Sequence, residues 1–106
     1  MEYLDSEGYP TDELLEYIED YNNFKNYQEI LDIIEKVWWM PDWGLRKKKP
    51  YTERLTKQRV YTYYMSTGGW SGNESLINAL KRNVLFWMYW RASRVGGHFT
   101  FRFPVN

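Results

Sequence analysis

Residues 59–80, RVYTYYMSTGGWSGNESLINAL, hold the turning point of the chain. Arg59 to Thr67 is rich in Val, Tyr and Thr, which suit the pleated surface of a strand. Tyr61, Tyr63 and Met65 alternate with Val60, Thr62 and Tyr64, so both faces are candidates for cover. Three glycines then break the pattern. Ser71 and Glu74 stand at capping-box spacing, which predicts a helix beginning near Gly72. Leu76, Ile77, Leu80, Val84, Trp87 and Met88 follow at helical spacing, and the helix is expected to run to Arg94. Its stretch VLFWMYW, 84–90, is apolar nearly all round, as in a helix central to the fold or covered by another subunit.

Downstream, Arg91 and Arg94 complement the carbonyl end of that helix, and Gly96 or Gly97 supplies a left-handed cap. In HFTFRFP, 98–104, Phe99, Phe101 and Phe103 alternate with His98, Thr100 and Arg102: a half-buried strand ended by Pro104. If the two strands share a sheet, a right-handed crossover makes them parallel.

Upstream, Thr11 follows Pro10 and can cap a helix carrying Leu14, Leu15, Ile18 and Tyr21 on one face. Asn22 and Asn23 end it. A second helix is expected from Asn26, with Glu29 at capping-box spacing and Ile30, Ile33, Ile34, Val37 and Trp38 as its apolar face. Pro41 stops it, and Asp42, Trp43 and Gly44 read as a turn. Residues 45–58 show no clear period and read as a loop with at most a short strand. The fold class is therefore α+β: two N-terminal acidic helices, then a strand–long helix–strand unit with a small sheet. One domain spans 1–106, with an acidic helical part at 1–44 and a basic part at 45–106.

The formal net charge of zero conceals a division. Residues 1–35 carry eleven acids against Lys25, a net of −10, and residues 36–106 carry the compensating +10. Such asymmetry points either to internal pairing or to two faces with different partners. The basic run Arg46 to Lys49 reads as solvated surface, with direct nucleic-acid binding as the alternative. With no Cys and one His, thiolate chemistry and multi-histidine metal sites are excluded, and neither a metal nor a cofactor is expected. The acidic start MEYLDSEG does not read as a secretory signal, and no apolar run approaches the roughly 20 residues of a membrane span. A cytoplasmic protein is expected. The 21 aromatic residues exceed what a turn-rich surface needs, and a small domain buries large side chains. One of the adjacent Trp38 and Trp39 must leave the main helix face. An exposed Trp beside Lys47 to Lys49 would make a binding hot spot.

The two glycine-rich joints, TGGWSGNE at 67–74 and RVGGHF at 94–99, carry the candidate chemistry. The segment GGWSGNE, the Trp- and Phe-rich stretch after it, and GGH with alternating aromatics resemble small proteins of unassigned function encoded by tailed bacteriophages. The resemblance covers residues 66–103. It implies a phage origin, hence a host-cell cytoplasm, and no reaction.

At the first joint, the end of a strand meets the start of a helix, whose free N–H groups can receive a ligand. Gly69 and Gly72 allow close approach, Trp70 offers a stacking surface, and Ser71 and Asn73 supply polar atoms. Glu74 would repel a bare phosphate, so a nucleotide-like ligand with hydroxyl or amino groups fits better. The alternative is a turn with Trp70 in the core. A Ser71–His98 nucleophile pair is disfavoured: Asn73 breaks the G-x-S-x-G pattern, and a helix from Gly72 to Arg94 would be about 34 Å long. Arg94 and His98 are instead candidate ligand contacts at the second joint, which a head-to-tail oligomer through 84–90 could bring to the first.

The reading is a non-enzymatic, phage-type binding protein sequestering a nucleotide-like ligand in a counter-defence role. Its rivals are an inhibitor whose acidic helices mimic nucleic acid and block a host protein, and a structural or assembly component.

Overall fold

The computed structural model of the chain describes residues 1–23 and 27–105. In order, it contains α1 (Asp12–Asp20), α2 (Tyr27–Val37), α3 (Pro41–Gly44), β1 (Leu45–Lys47), β2 (Tyr51–Thr52), β3 (Arg59–Ser66), α4 (Ser71–Arg82), α5 (Val84–Trp87), β4 (Trp90–Arg94) and β5 (His98–Pro104). The class is α+β, with two acidic helices ahead of a small sheet. No helix among the described residues is long and apolar enough to cross a membrane.

The acidic helices form for the local reasons visible in the sequence. Thr11 Oγ1 accepts the Leu14 N–H at 3.2 Å, and Asp12 and Glu13 occupy the first turn of α1. Leu14 and Ile18 are fully buried, as are Leu31 and Ile34 of α2. The expected start of α2 at Asn26 lies outside the described residues. Glu29 instead accepts hydrogen bonds from the hydroxyls of Tyr17 (3.1 Å) and Tyr21 (3.0 Å), tying α2 to α1. Burial, then the bond to Glu29, pushes the Tyr21 hydroxyl up to about 12.

The chain departs from the expected long helix at Asn83. Here α4 ends and α5 begins, because the Asn83 side chain takes over backbone partners. Its Oδ1 accepts the Phe86 N–H at 3.1 Å, and its Nδ2 donates to the carbonyls of Ile18 and Tyr21, both at 2.8 Å. One buried amide thus caps α5 and satisfies the frayed end of α1. Residues 90–94 are strand rather than helix. Phe86 faces the core, while Val84 and Met88 are exposed, so 84–90 is no all-round buried helix.

Without the long crossover helix, the strands pair antiparallel, not parallel. The sheet order is β1-β3-β5-β4, with β2 also on β3. Gly96 and Gly97, expected as a helix cap, instead turn the β4–β5 hairpin with φ of 98° and 78°. The region 45–58, read as a loop, supplies the two short strands β1 and β2.

Directly opposed residues share a sheet face. Tyr61, Tyr63 and Met65 pair with Phe103, Phe101 and Phe99 and form the floor of the core beneath the helices. The opposite face, carrying Tyr64, Thr100, Thr62 and Arg102, lies away from the packed core, and the one-turn α3 borders it at Trp43.

Candidate functional site

The register of β3 on β5 sets Ser66 opposite His98 and brings the two glycine joints together within one chain. The Thr67 N–H donates to the Gly97 carbonyl at 3.0 Å, and a Cβ on Gly97 would collide with the Thr67 side chain. The separation expected from a 34 Å helix therefore does not exist. No second copy is needed to bring the joints together.

Of the first joint, Thr67, Gly72 and Asn73 are buried, Trp70 is half-buried, and Gly68, Gly69, Ser71 and Glu74 are exposed, none of them in the cleft that holds His98. Thr67 to Trp70 form a tight turn, with Gly68 and Gly69 at φ of 64° and 76° and the Trp70 N–H bonded to the Thr67 carbonyl at 3.2 Å. That turn starts α4 at Ser71, with Trp70 as its cap residue, so the expected Ser71–Glu74 capping box is not formed. The Trp70 ring stacks on Tyr9 (centroids 5.0 Å apart) and on Trp39 (5.7 Å). A Cβ at Gly72 would enter the Trp70 ring, so this glycine exists for the indole. Asn73 is fully buried. Its Oδ1 accepts the Trp39 N–H at 2.9 Å, and its Nδ2 donates to the carbonyls of Trp39 (3.1 Å) and Thr67 (3.2 Å). The Asn73 amide clamps the end of α2 onto the joint, with each polar atom occupied. Ser71 and Glu74 are exposed at the start of α4, and Gly69 is exposed in the turn.

Arg94 and His98 lie elsewhere. They line a cleft of about 520 Å³ together with Trp43, Gly44, Arg46, Tyr64, Ser66, Phe99 and Thr100. Its polar floor is the Ser66 hydroxyl, 2.8 Å from His98 Nδ1. Arg46, opposite Tyr64 on β1, sets its guanidinium 4.9 Å from the centre of the Tyr64 ring. Arg94, opposite His98 on β4, brings the second guanidinium. Trp43 forms one wall and is 61% exposed, so its ring is free to stack. Gly68 makes room for it: a Cβ there would lie 3.2 Å from the Trp43 ring. The glycine joint thus serves the cleft by seating a tryptophan from α3.

The chemistry of this cleft is that of an anion and aromatic-ring receptor. Two guanidinium groups offer forked donors to phosphate or carboxylate, and His98 with Ser66 offers polar atoms at the floor. Trp43 and Tyr64 supply ring faces. None of Gly69, Trp70, Ser71, Gly72, Asn73 or Glu74 lines it. Trp43, Tyr64 and Ser66 are not ligand contacts in the sequence reading, and Arg46 enters it only within the basic run Arg46 to Lys49 as an alternative nucleic-acid contact. The one signal for them was the expectation of an exposed Trp beside the basic run. Among the described residues, no three Asp, Glu or His side chains gather to hold a metal.

A second hollow, on α1, is lined by Glu13, Glu16, Tyr17, Asp20 and Glu29. Its four carboxylates stand among Met1, Tyr17, Tyr21, Asn22 and Asn23, and it belongs to the other charge half of the molecule.

No family model, curated protein or solved structure matches the chain.

Proposed function

We propose that the chain is a non-enzymatic binding protein of phage type, whose ligand is a nucleotide-like anion held in the cleft between Arg46 and Arg94. The observation that supports it is the meeting, in one cleft of about 520 Å³, of two guanidinium groups, a Ser–His pair and the exposed Trp43 ring. Each part answers one part of a nucleotide: forked donors for phosphate, a ring face for the base, hydroxyl and imidazole for sugar or base edges. Sequestering a host signalling nucleotide is the counter-defence role consistent with such a site. Titration with a nucleotide panel, followed by Trp fluorescence and thermal shift, tests this reading. At least one nucleotide should quench emission and raise the melting temperature. Arg46→Glu should weaken that ligand by about ten-fold or more, since a charge-assisted bond contributes roughly 1.5–3 kcal/mol. No response to any nucleotide would end the proposal.

The acidic hollow on α1 favours a second reading, in which exposed Glu13, Glu16 and Asp20 mimic a phosphate backbone and occupy a host nucleic-acid enzyme. Recovery of such an enzyme from bacterial lysate, lost on reversing those three charges, is the result it requires.

A further inference from the structure

The cleft opens onto a longer surface whose composition is one-sided. The five strands contain no Asp or Glu, while they hold Arg46, Lys47, Arg59, Arg91, Arg94 and Arg102. Strand pairing selects which of these share the face away from the core. Arg46 lies opposite Tyr64, Arg94 opposite His98, Arg102 opposite Thr62, and Tyr51 opposite Val60. Lys48 joins them, with its ammonium 5.6 Å from the Tyr64 ring centre, and Arg102 lies 6.0 Å from that of Tyr51. Glu53 reaches this face, 3.5 Å from Arg102. From Ser66 to Val60 the strand runs about 20 Å at 3.4 Å per residue, with Thr62 and Val60 themselves buried and the flanking Arg46, Lys48, Tyr51 and Arg102 forming the surface.

We propose that this face binds a single-stranded polynucleotide, one nucleotide of which sits in the cleft while the backbone runs past Lys48 toward Tyr51 and Arg102. The proposal rests on the cleft reading and names its ligand as a polymer. Cations spaced along a sheet match a phosphate backbone, and Trp43, Tyr64 and Tyr51 offer ring faces along the same path. A duplex would leave those rings idle, because its bases are stacked on one another; unstacked bases use them. The acidic helices lie beyond the opposite face, so the charge division orients the strand on the sheet.

The test is anisotropy of labelled oligothymidylate and oligouridylate of about 12 nucleotides, against a duplex of equal length and against polyglutamate. One of the single strands should bind tightest, with a log–log salt slope of roughly 2–3 in magnitude if three or four phosphates are neutralised. Lys48→Glu, an exposed change beside the Tyr64 ring at the mouth of the cleft, should weaken the oligonucleotide at least five-fold and mononucleotides by less. Tyr51→Leu, with folding checked by its melting curve, should act in the same direction. Equal binding of duplex or polyglutamate, or an unaltered oligonucleotide affinity in both variants, overturns the proposal. If mononucleotides bind and oligonucleotides gain nothing, the cleft reading stands and this one falls. If oligonucleotides bind and no mononucleotide does, the free-nucleotide reading falls and the polymer remains.

Discussion

The Ser66 hydroxyl lies 2.8 Å from His98 Nδ1, across a strand pair whose partners are 32 residues apart in sequence. This contact fixes the ring of the single histidine of the chain. It stands on the sheet face away from the core, exposed, between Arg94 and the Ser66 hydroxyl, and not beside Ser71.

From that placement, His98→Ala should act on the ligand and not on the fold. The ring is exposed, so its removal should change stability by no more than about 0.5 kcal/mol. Loss of its hydrogen bond to an anionic ligand should weaken binding by roughly ten-fold. Paired titrations and melting curves check this. A large drop in melting temperature with unchanged affinity would make the histidine structural.

Asn83→Ala should do the opposite. It leaves the carbonyls of Ile18 and Tyr21 and the Phe86 N–H without their amide partner. The Ile18 carbonyl keeps the Tyr21 N–H at 3.4 Å, so with roughly 1–3 kcal/mol for each buried bond lost and incomplete additivity the loss should be about 2–3 kcal/mol. The melting temperature should then fall by on the order of 15 °C. Chemical denaturation measures this, and a change within 1 kcal/mol would show that the amide does not hold α1 to α5.

These two residues also show what was legible in the sequence. Helices α1 and α2, strand β3 and the alternating phenylalanines of β5 were readable because cap, period and burial are local properties of each segment. The break at Asn83 was not. Leu80, Val84, Trp87 and Met88 keep helical spacing across it, and the asparagine's partners Ile18 and Tyr21 are more than sixty positions away. Missing that break turned the hairpin of β4 and β5 into a helix end and an antiparallel pair into a parallel one. The cleft was hidden for the same reason. Trp43, Arg46, Tyr64, Arg94 and His98 come from five separate elements; strand register unites the last four, and the room at Gly68 seats Trp43 beside them. The GGWSGNE segment stood out by density of glycine and polar atoms, yet Gly72 and Asn73 serve Trp70 and Trp39.

Gly72→Ala follows from that assignment. The added methyl must displace the Trp70 ring from its stack on Tyr9 and Trp39. Overpacking of this kind costs about 1–3 kcal/mol. Trp emission should shift while affinity at the cleft stays within about two-fold, because Trp70 does not line it. A collapse of ligand affinity without a stability loss would return the site to the glycine joint.

The pH dependence of stability has a defined alkaline arm. Tyr63 is buried on the core face of β3, where desolvation first, then Glu35, Tyr61 and Asp32, push its hydroxyl up to about 12. In the unfolded chain it ionises near 10, so the folded value is raised. Below about pH 10 both states keep the proton and this group leaves stability independent of pH. Between about 10 and 12 the unfolded chain releases a proton that the folded chain retains, and stability falls as pH rises. The full loss from a shift of two units is about 2–3 kcal/mol. Tyr63→Phe removes the titrating group, so its denaturation midpoint should decline less steeply over this window than that of the unaltered chain. Identical slopes would place the alkaline loss on other buried tyrosines, of which Tyr21 and Tyr27 are also raised by burial.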